Sequence, residues 1–140
     1  MRVYLSQSSP TDGSFQHFES VARFSRGVMD SEATIIVCDS FLSCFSYDDV
    51  PSVLKLLMQK MRSGCELTII EPDFYLISKQ AFHQSVDMAT VNKVVFGQLN
   101  ALKCFLSLEE IEGLVSSDLE VVSKHFDEQS FKSILKLKRR

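Results

Sequence analysis

Apolar and polar positions along this chain alternate between two patterns, one suited to buried strands and one to amphipathic helices. Val3-Tyr4-Leu5 reads as a short strand, and Gln7 to Gly13 as a Ser/Pro/Gly loop. Phe15, Phe18, Val21 and Ala22 follow at helical spacing and predict a short helix ending near Gly27. Ala33-Thr34-Ile35-Ile36-Val37-Cys38 is β-branched and apolar on both faces, the pattern of a strand inside a parallel sheet. The next helix is well marked. Asp48 or Asp49 can accept from free backbone N–H groups at its start, and Pro51 suits its first turn. Val50, Leu54, Leu57, Met58 and Met61 repeat along one face. Lys60 and Arg62 occupy its last turn, and Gly64 supplies the positive φ of a helix stop. Glu66-Leu67-Thr68-Ile69-Ile70-Glu71 is a second buried-strand pattern, closed by Pro72.

Helices are expected near Tyr75–Ala81 and over Val86–Phe96, with Gly97 as a stop. Ser107-Leu108-Glu109-Glu110 fits a capping box, and Leu108, Ile111, Leu114 and Val115 form the stripe of the helix it opens. Glu120–Phe126 reads as a strand, Asp127–Ser130 as a turn, and Phe131–Lys138 as a final, partly exposed strand. The short link makes those last strands an antiparallel hairpin. Strands alternating with helices predict one α/β domain: a three-layer, Rossmann-like mixed sheet of about five strands, mostly parallel, with an antiparallel C-terminal hairpin strand.

Composition narrows the classes. The chain has 140 residues, 45% apolar and 24% charged, which suits a single domain with its own core. Fifteen Lys+Arg against 18 Asp+Glu give a net charge of -3, so no global bias draws it to nucleic acid or anionic lipid. No apolar run approaches the ~20 residues of a membrane span, and Met1–Ser6 turns polar too soon for a signal peptide. A cytoplasmic location is therefore expected. Cys38, Cys44, Cys65 and Cys104 form no C-x-x-C pair, and His17, His83 and His125 are scattered. They predict reduced structural thiols and no metal site.

The order and wording of the middle segments resemble a known family. Ile35-Ile36-Val37-Cys38-Asp39-Ser40-Phe41-Leu42, then Tyr47-Asp48-Asp49-Val50, then Lys60-Met61-Arg62-Ser63-Gly64-Cys65-Glu66-Leu67-Thr68-Ile69-Ile70-Glu71-Pro72-Asp73 is similar to the second half of class I S-adenosylmethionine-dependent methyltransferases. Phe105–Ile111 resembles the family's late helix, and the closing hairpin its last strands. Val86–Lys93 is similar to a middle helix of short methyltransferase-like proteins often encoded by phages, which implies the host cytoplasm. The resemblance covers roughly residues 30–140.

What the resemblance implies is qualified by a departure. In the family, the first strand enters a Gly-rich turn that lets backbone N–H groups approach the cofactor, and an acidic residue after the next strand holds the ribose. Gly13, Gly27, Gly64, Gly97 and Gly113 stand far apart here, so no such turn exists. The expectation is a single methyltransferase-like domain over 1–140 lacking the Gly-rich cofactor-binding half. A residual pocket would be lined by Asp39, Ser40, Phe41, Glu71 and Asp73, at the strand ends where ligands of open α/β sheets sit.

No catalytic residue is assigned. The favoured function is a non-catalytic protein-interaction or assembly subunit without cofactor, including a homodimer through an uncovered sheet edge. The alternative is an S-adenosylmethionine-dependent methyltransferase, active alone or completed by a partner chain. A nucleic-acid role for the basic end, Lys136, Lys138, Arg139 and Arg140, is disfavoured because such charges also protect an exposed edge.

Overall fold

The computed structural model of the protein describes residues 1–97, 102–115 and 117–140. Its strands are β1 (Arg2–Leu5), β2 (Gln16–Phe18), β3 (Ala33–Asp39), β4 (Met61–Pro72), β5 (Leu119–Asp127) and β6 (Lys132–Arg139). Its helices are α1 (Val21–Gly27), α2 (Val50–Lys60), α3 (Phe74–Phe82), α4 (Met88–Phe96) and α5 (Leu108–Leu114). The strands form one six-stranded sheet in the order β2-β1-β3-β4-β6-β5. β1 pairs in parallel with both β2 and β3, and β3 with β4, while β6 runs antiparallel between β4 and β5. This is the expected mixed, Rossmann-like α/β sheet, with residues 35–39 beside 66–70.

The core lies on one face of that sheet. Val3 and Leu5, Ile36 and Cys38, Leu67 and Ile69, and Leu135 and Leu137 align across the register and are fully or almost fully buried. They cluster with Phe24 of α1, Val50, Leu54 and Leu57 of α2, and Leu108 and Ile111 of α5. The opposite face carries Tyr4, Val37 and Thr68 in one row and Asp39, Ile70 and Ile134 in the next, all half-buried. Strands β3 and β4, read as buried on both sides, therefore bury one side completely and the other in part.

Several local expectations need correction. Phe15–Phe18 does not start a helix: Gln16–Phe18 is β2, and α1 begins at Val21 after Ser20, whose hydroxyl accepts from the Arg23 amide at 3.2 Å. The apparent helical spacing arises because Phe18 of β2 and Phe24 of α1 meet in the same core, ring centroids 5.9 Å apart. Gly27 lies against the Phe18 ring, where a Cβ would come within 2.7 Å. Gly64 does take positive φ, +80°, but within β4; α2 already stops at Lys60, and Arg62 belongs to the strand. Asp49 precedes α2 without capping it and accepts from the Ser46 hydroxyl instead.

The basic final strand is interior, not an edge. Lys136 and Lys138 point from its less covered face, Arg139 donates to the Met58 and Met61 carbonyls, and β5 is the edge. The edge of β3 is covered by β1. The Ser107 cap holds: its hydroxyl accepts from the Glu110 amide at 3.2 Å. Among the described residues, no helix is long and apolar enough to cross a membrane.

Candidate functional site

The carboxyl ends of β3 and β4 bring the expected residues into one neighbourhood but give them different tasks. Asp39 ends β3 and is half-buried. Its Oδ2 accepts from the Tyr4 hydroxyl at 2.7 Å, and its Oδ1 lies 3.2 Å from the Lys132 ammonium, which reaches over from β6. Burial and then the Asp39 bond push the Tyr4 hydroxyl up to about 12, so it remains a donor at neutral pH. The Tyr4 ring packs edge-on against Phe15 at 5.7 Å and lies 6.5 Å from the His17 ring. The segment that leaves β1 thus folds back over the strand end. His17 Nε2 is 3.0 Å from the Ser6 carbonyl oxygen and 3.2 Å from its hydroxyl.

Ser40 is the strained member. Its φ of +51° is a left-handed conformation in which a Cβ costs energy. Its amide donates to the Ile70 carbonyl at 2.7 Å, tying the end of β3 to β4, and its buried hydroxyl meets no hydrogen-bond partner among the described residues.

Phe41 is core rather than pocket: it is 1% exposed and lies 5.3 Å from the Phe45 ring. Glu71 is equally buried, and both its oxygens are engaged. Oε1 accepts from the Leu42 amide at 2.9 Å and Oε2 from the Ser43 amide at 3.3 Å, which pins the turn following β3. Burial pushes its carboxyl up to about 7, against the pull of these donors. That value would suit a general acid or base, but both oxygens face protein amides and away from solvent. Asp73 caps α3, accepting from the Leu76 amide at 2.9 Å, while its own amide donates to the Phe131 carbonyl. A cleft of about 490 Å³ lies between α3 and the β5–β6 turn, lined by Leu76, Lys79, Gln80, His83, Ser85, Val86, Glu128, Gln129 and Phe131 and by none of these positions.

Among the described residues, the cysteines and metal-ligating groups form no second centre. All four cysteines are free thiols, each pushed up by burial above its ordinary value, Cys65 and Cys104 to about 11. Such thiols are poor nucleophiles at neutral pH. Among the described residues no group of His, Cys, Asp and Glu could hold a metal ion. Sequence alone does not single out Tyr4, which engages the central carboxylate, or Glu19, which directly follows β2. A three-residue strand leaves no periodic signal, so Glu19 could not be placed at a strand end.

No family model matches this sequence, and no curated protein does. Solved structures match in fold. The putative type 11 methyltransferase from Sulfolobus solfataricus has a TM-score of 0.57 and 12% identity over 99% of this chain and 71% of its own. A SAM-dependent methyltransferase from Thermotoga maritima, described as a possible histamine N-methyltransferase, has a TM-score of 0.58 and 15% identity over 90% and 65%. The mitomycin 7-O-methyltransferase MmcR has a TM-score of 0.55 and 18% identity over 84% of this chain and 32% of its own. The chain thus has the fold of class I SAM-dependent methyltransferases, and its share of these three chains ranges from 32% to 71%.

Proposed function

We propose that this methyltransferase-like domain is a non-catalytic protein-interaction or assembly subunit that holds no cofactor in the family manner. The observation that carries this reading is the occupied strand end. Asp39 is taken by Tyr4 and Lys132, Glu71 by loop amides, and Asp73 by a helix cap. β1 passes through a Ser/Pro loop straight into β2, with neither a Gly-rich turn nor a helix between them. The half-buried sheet face, with Val37, Ile70 and Ile134 at its centre, gives such a subunit apolar surface to dock, and the edge strand β5 adds exposed Val121, Val122 and Phe126. The partner is a protein, with a second copy of this chain as the first to test. On this reading the subunit works in the cytoplasm, that of a host cell if the chain is phage-encoded.

Light scattering at tens of micromolar tests self-association. A mass at or above twice the 15.9 kDa monomer is expected, and a monomeric mass throughout would remove it.

One observation favours the other reading, a SAM-dependent methyltransferase active alone or completed by a partner chain. Glu19 follows the strand next to β1, where the family carries its ribose-binding carboxylate, and it is exposed. On that reading Asp39 and Ser40 would face the cofactor or substrate after Tyr4 withdraws.

A further inference from the structure

A separate cleft of about 270 Å³ opens where α3 begins and α5 is capped. Its walls are the rings of Phe74, Tyr75 and Phe105, with Leu106, Ser107 and Glu110 completing it. The Phe74 ring sits 5.3 Å from Phe105 and 6.5 Å from Tyr75. Phe74 is 52% and Tyr75 72% exposed, so both rings keep accessible surface within the lining of the cleft. Among the described residues, Glu110 is the only charged one of the lining. Its carboxylate receives the Tyr47 hydroxyl at 2.6 Å and the Ser107 hydroxyl at 3.4 Å, both neutral donors. Aromatic faces carry negative potential and attract cations, most strongly where the cation sheds its water.

We propose that this cleft binds an N-alkylated ammonium group, quaternary or tertiary, carried by a small molecule or a modified side chain. The chemistry selects alkylation. A guanidinium or primary ammonium brings several N–H donors that need acceptors. Among the described lining residues only Glu110 is a carboxylate, with part of its capacity already taken by Tyr47 and Ser107, and rings and Leu106 make up most of the rest. A methylated ammonium needs no hydrogen bonds: its alkyl shell packs on the rings and Leu106, and its diffuse charge answers Glu110. The volume is near the lower end of small-molecule pockets, roughly 300 Å³. The site does not depend on whether the strand-end pocket holds a cofactor.

The test is titration of the isotope-labelled full chain with choline and with its carbon isostere 3,3-dimethyl-1-butanol, followed by amide chemical shifts. Choline is expected to saturate with a Kd of about 1 mM, shifting Phe74, Tyr75, Phe105 and Glu110. The neutral isostere should bind at least about tenfold more weakly. Glu110→Gln leaves the Ser107 cap of α5, which uses the backbone amide of Glu110, in place and should weaken choline about fivefold; Tyr75→Ala, on an exposed position, should weaken it about threefold. Unshifted amides elsewhere verify the fold of each variant. Failure to saturate below about 20 mM, equal affinity for the isostere, or unchanged affinity in either variant overturns the proposal.

Discussion

Glu71→Ala is expected to destabilise the protein by about 3 kcal/mol, because it strips partners from two buried amides at once. Leu42 and Ser43 donate to the two carboxylate oxygens, and both residues are fully buried. Leu42 and its neighbour Phe41 belong to the core cluster, so loosening this turn also loosens packing above β3 and β4. Glu71→Gln keeps one acceptor and should cost less. The carboxyl also carries a pH signature. Its folded value, about 7, lies above its ordinary 4.5 because of burial. The folded state therefore holds the proton longer than the unfolded chain, and this group's contribution is largest below the ordinary carboxylate range. It falls as pH rises to about 7 and is level beyond. The stability gap between wild type and Glu71→Gln should accordingly be smaller at pH 8 than at pH 5. Urea unfolding at both values checks this; a gap that widens with pH would show that the carboxylate is stabilised as an anion.

Ile69→Ala should cost a similar amount, about 3–4 kcal/mol, for a different reason. Ile69 is fully buried in β4, in register with Cys38 on one side and Leu135 on the other. Truncation removes buried methyl groups and leaves a cavity that two hydrogen-bonded neighbouring strands cannot collapse to fill. A loss of this size is a large share of a domain's usual 5–15 kcal/mol and should lower the melting temperature by about 10 °C. Ile70→Ala, on the half-buried face, should cost clearly less. Equal losses at the two positions would mean that the second face is as tightly packed as the first.

The central strands were legible because their side chains are dictated locally. Ile35-Ile36-Val37-Cys38 and Leu67-Thr68-Ile69-Ile70 are short apolar runs whose β-branched residues favour strand over helix. Ser107 with Glu110 is likewise a local signal, set by spacing across one helical turn. β2 was not legible: its three residues are too few to show a period, and Phe18 falls in helical step with Val21 and Ala22. The place of β6 was hidden for another reason. An interior strand with one half-covered face alternates apolar and basic residues just as an edge strand does, so Lys136 and Lys138 did not reveal that β5 lies outside it.

At the strand ends, sequence order placed Asp39, Ser40, Glu71 and Asp73 in one neighbourhood but not their partners. Asp39 is joined to Tyr4 and Lys132 across 35 and 93 positions, and Glu71 to Leu42 and Ser43 across 29 and 28. Those contacts exist only once the sheet has formed. Asp39 and Glu71, which look available in sequence, are consumed by these tertiary contacts, Asp73 is taken by a helix cap three residues on, and Phe41 is drawn into the core beside the turn that Glu71 holds.

Calorimetric titration of the isolated chain with S-adenosylmethionine tests the occupied strand end most directly. No saturable heat is expected up to about 1 mM, since Tyr4 and Lys132 hold Asp39 and no Gly-rich turn offers its amides. Saturable binding with a Kd near 10 μM, lost on Glu19→Ala, would contradict it and make this chain a cofactor-binding methyltransferase domain.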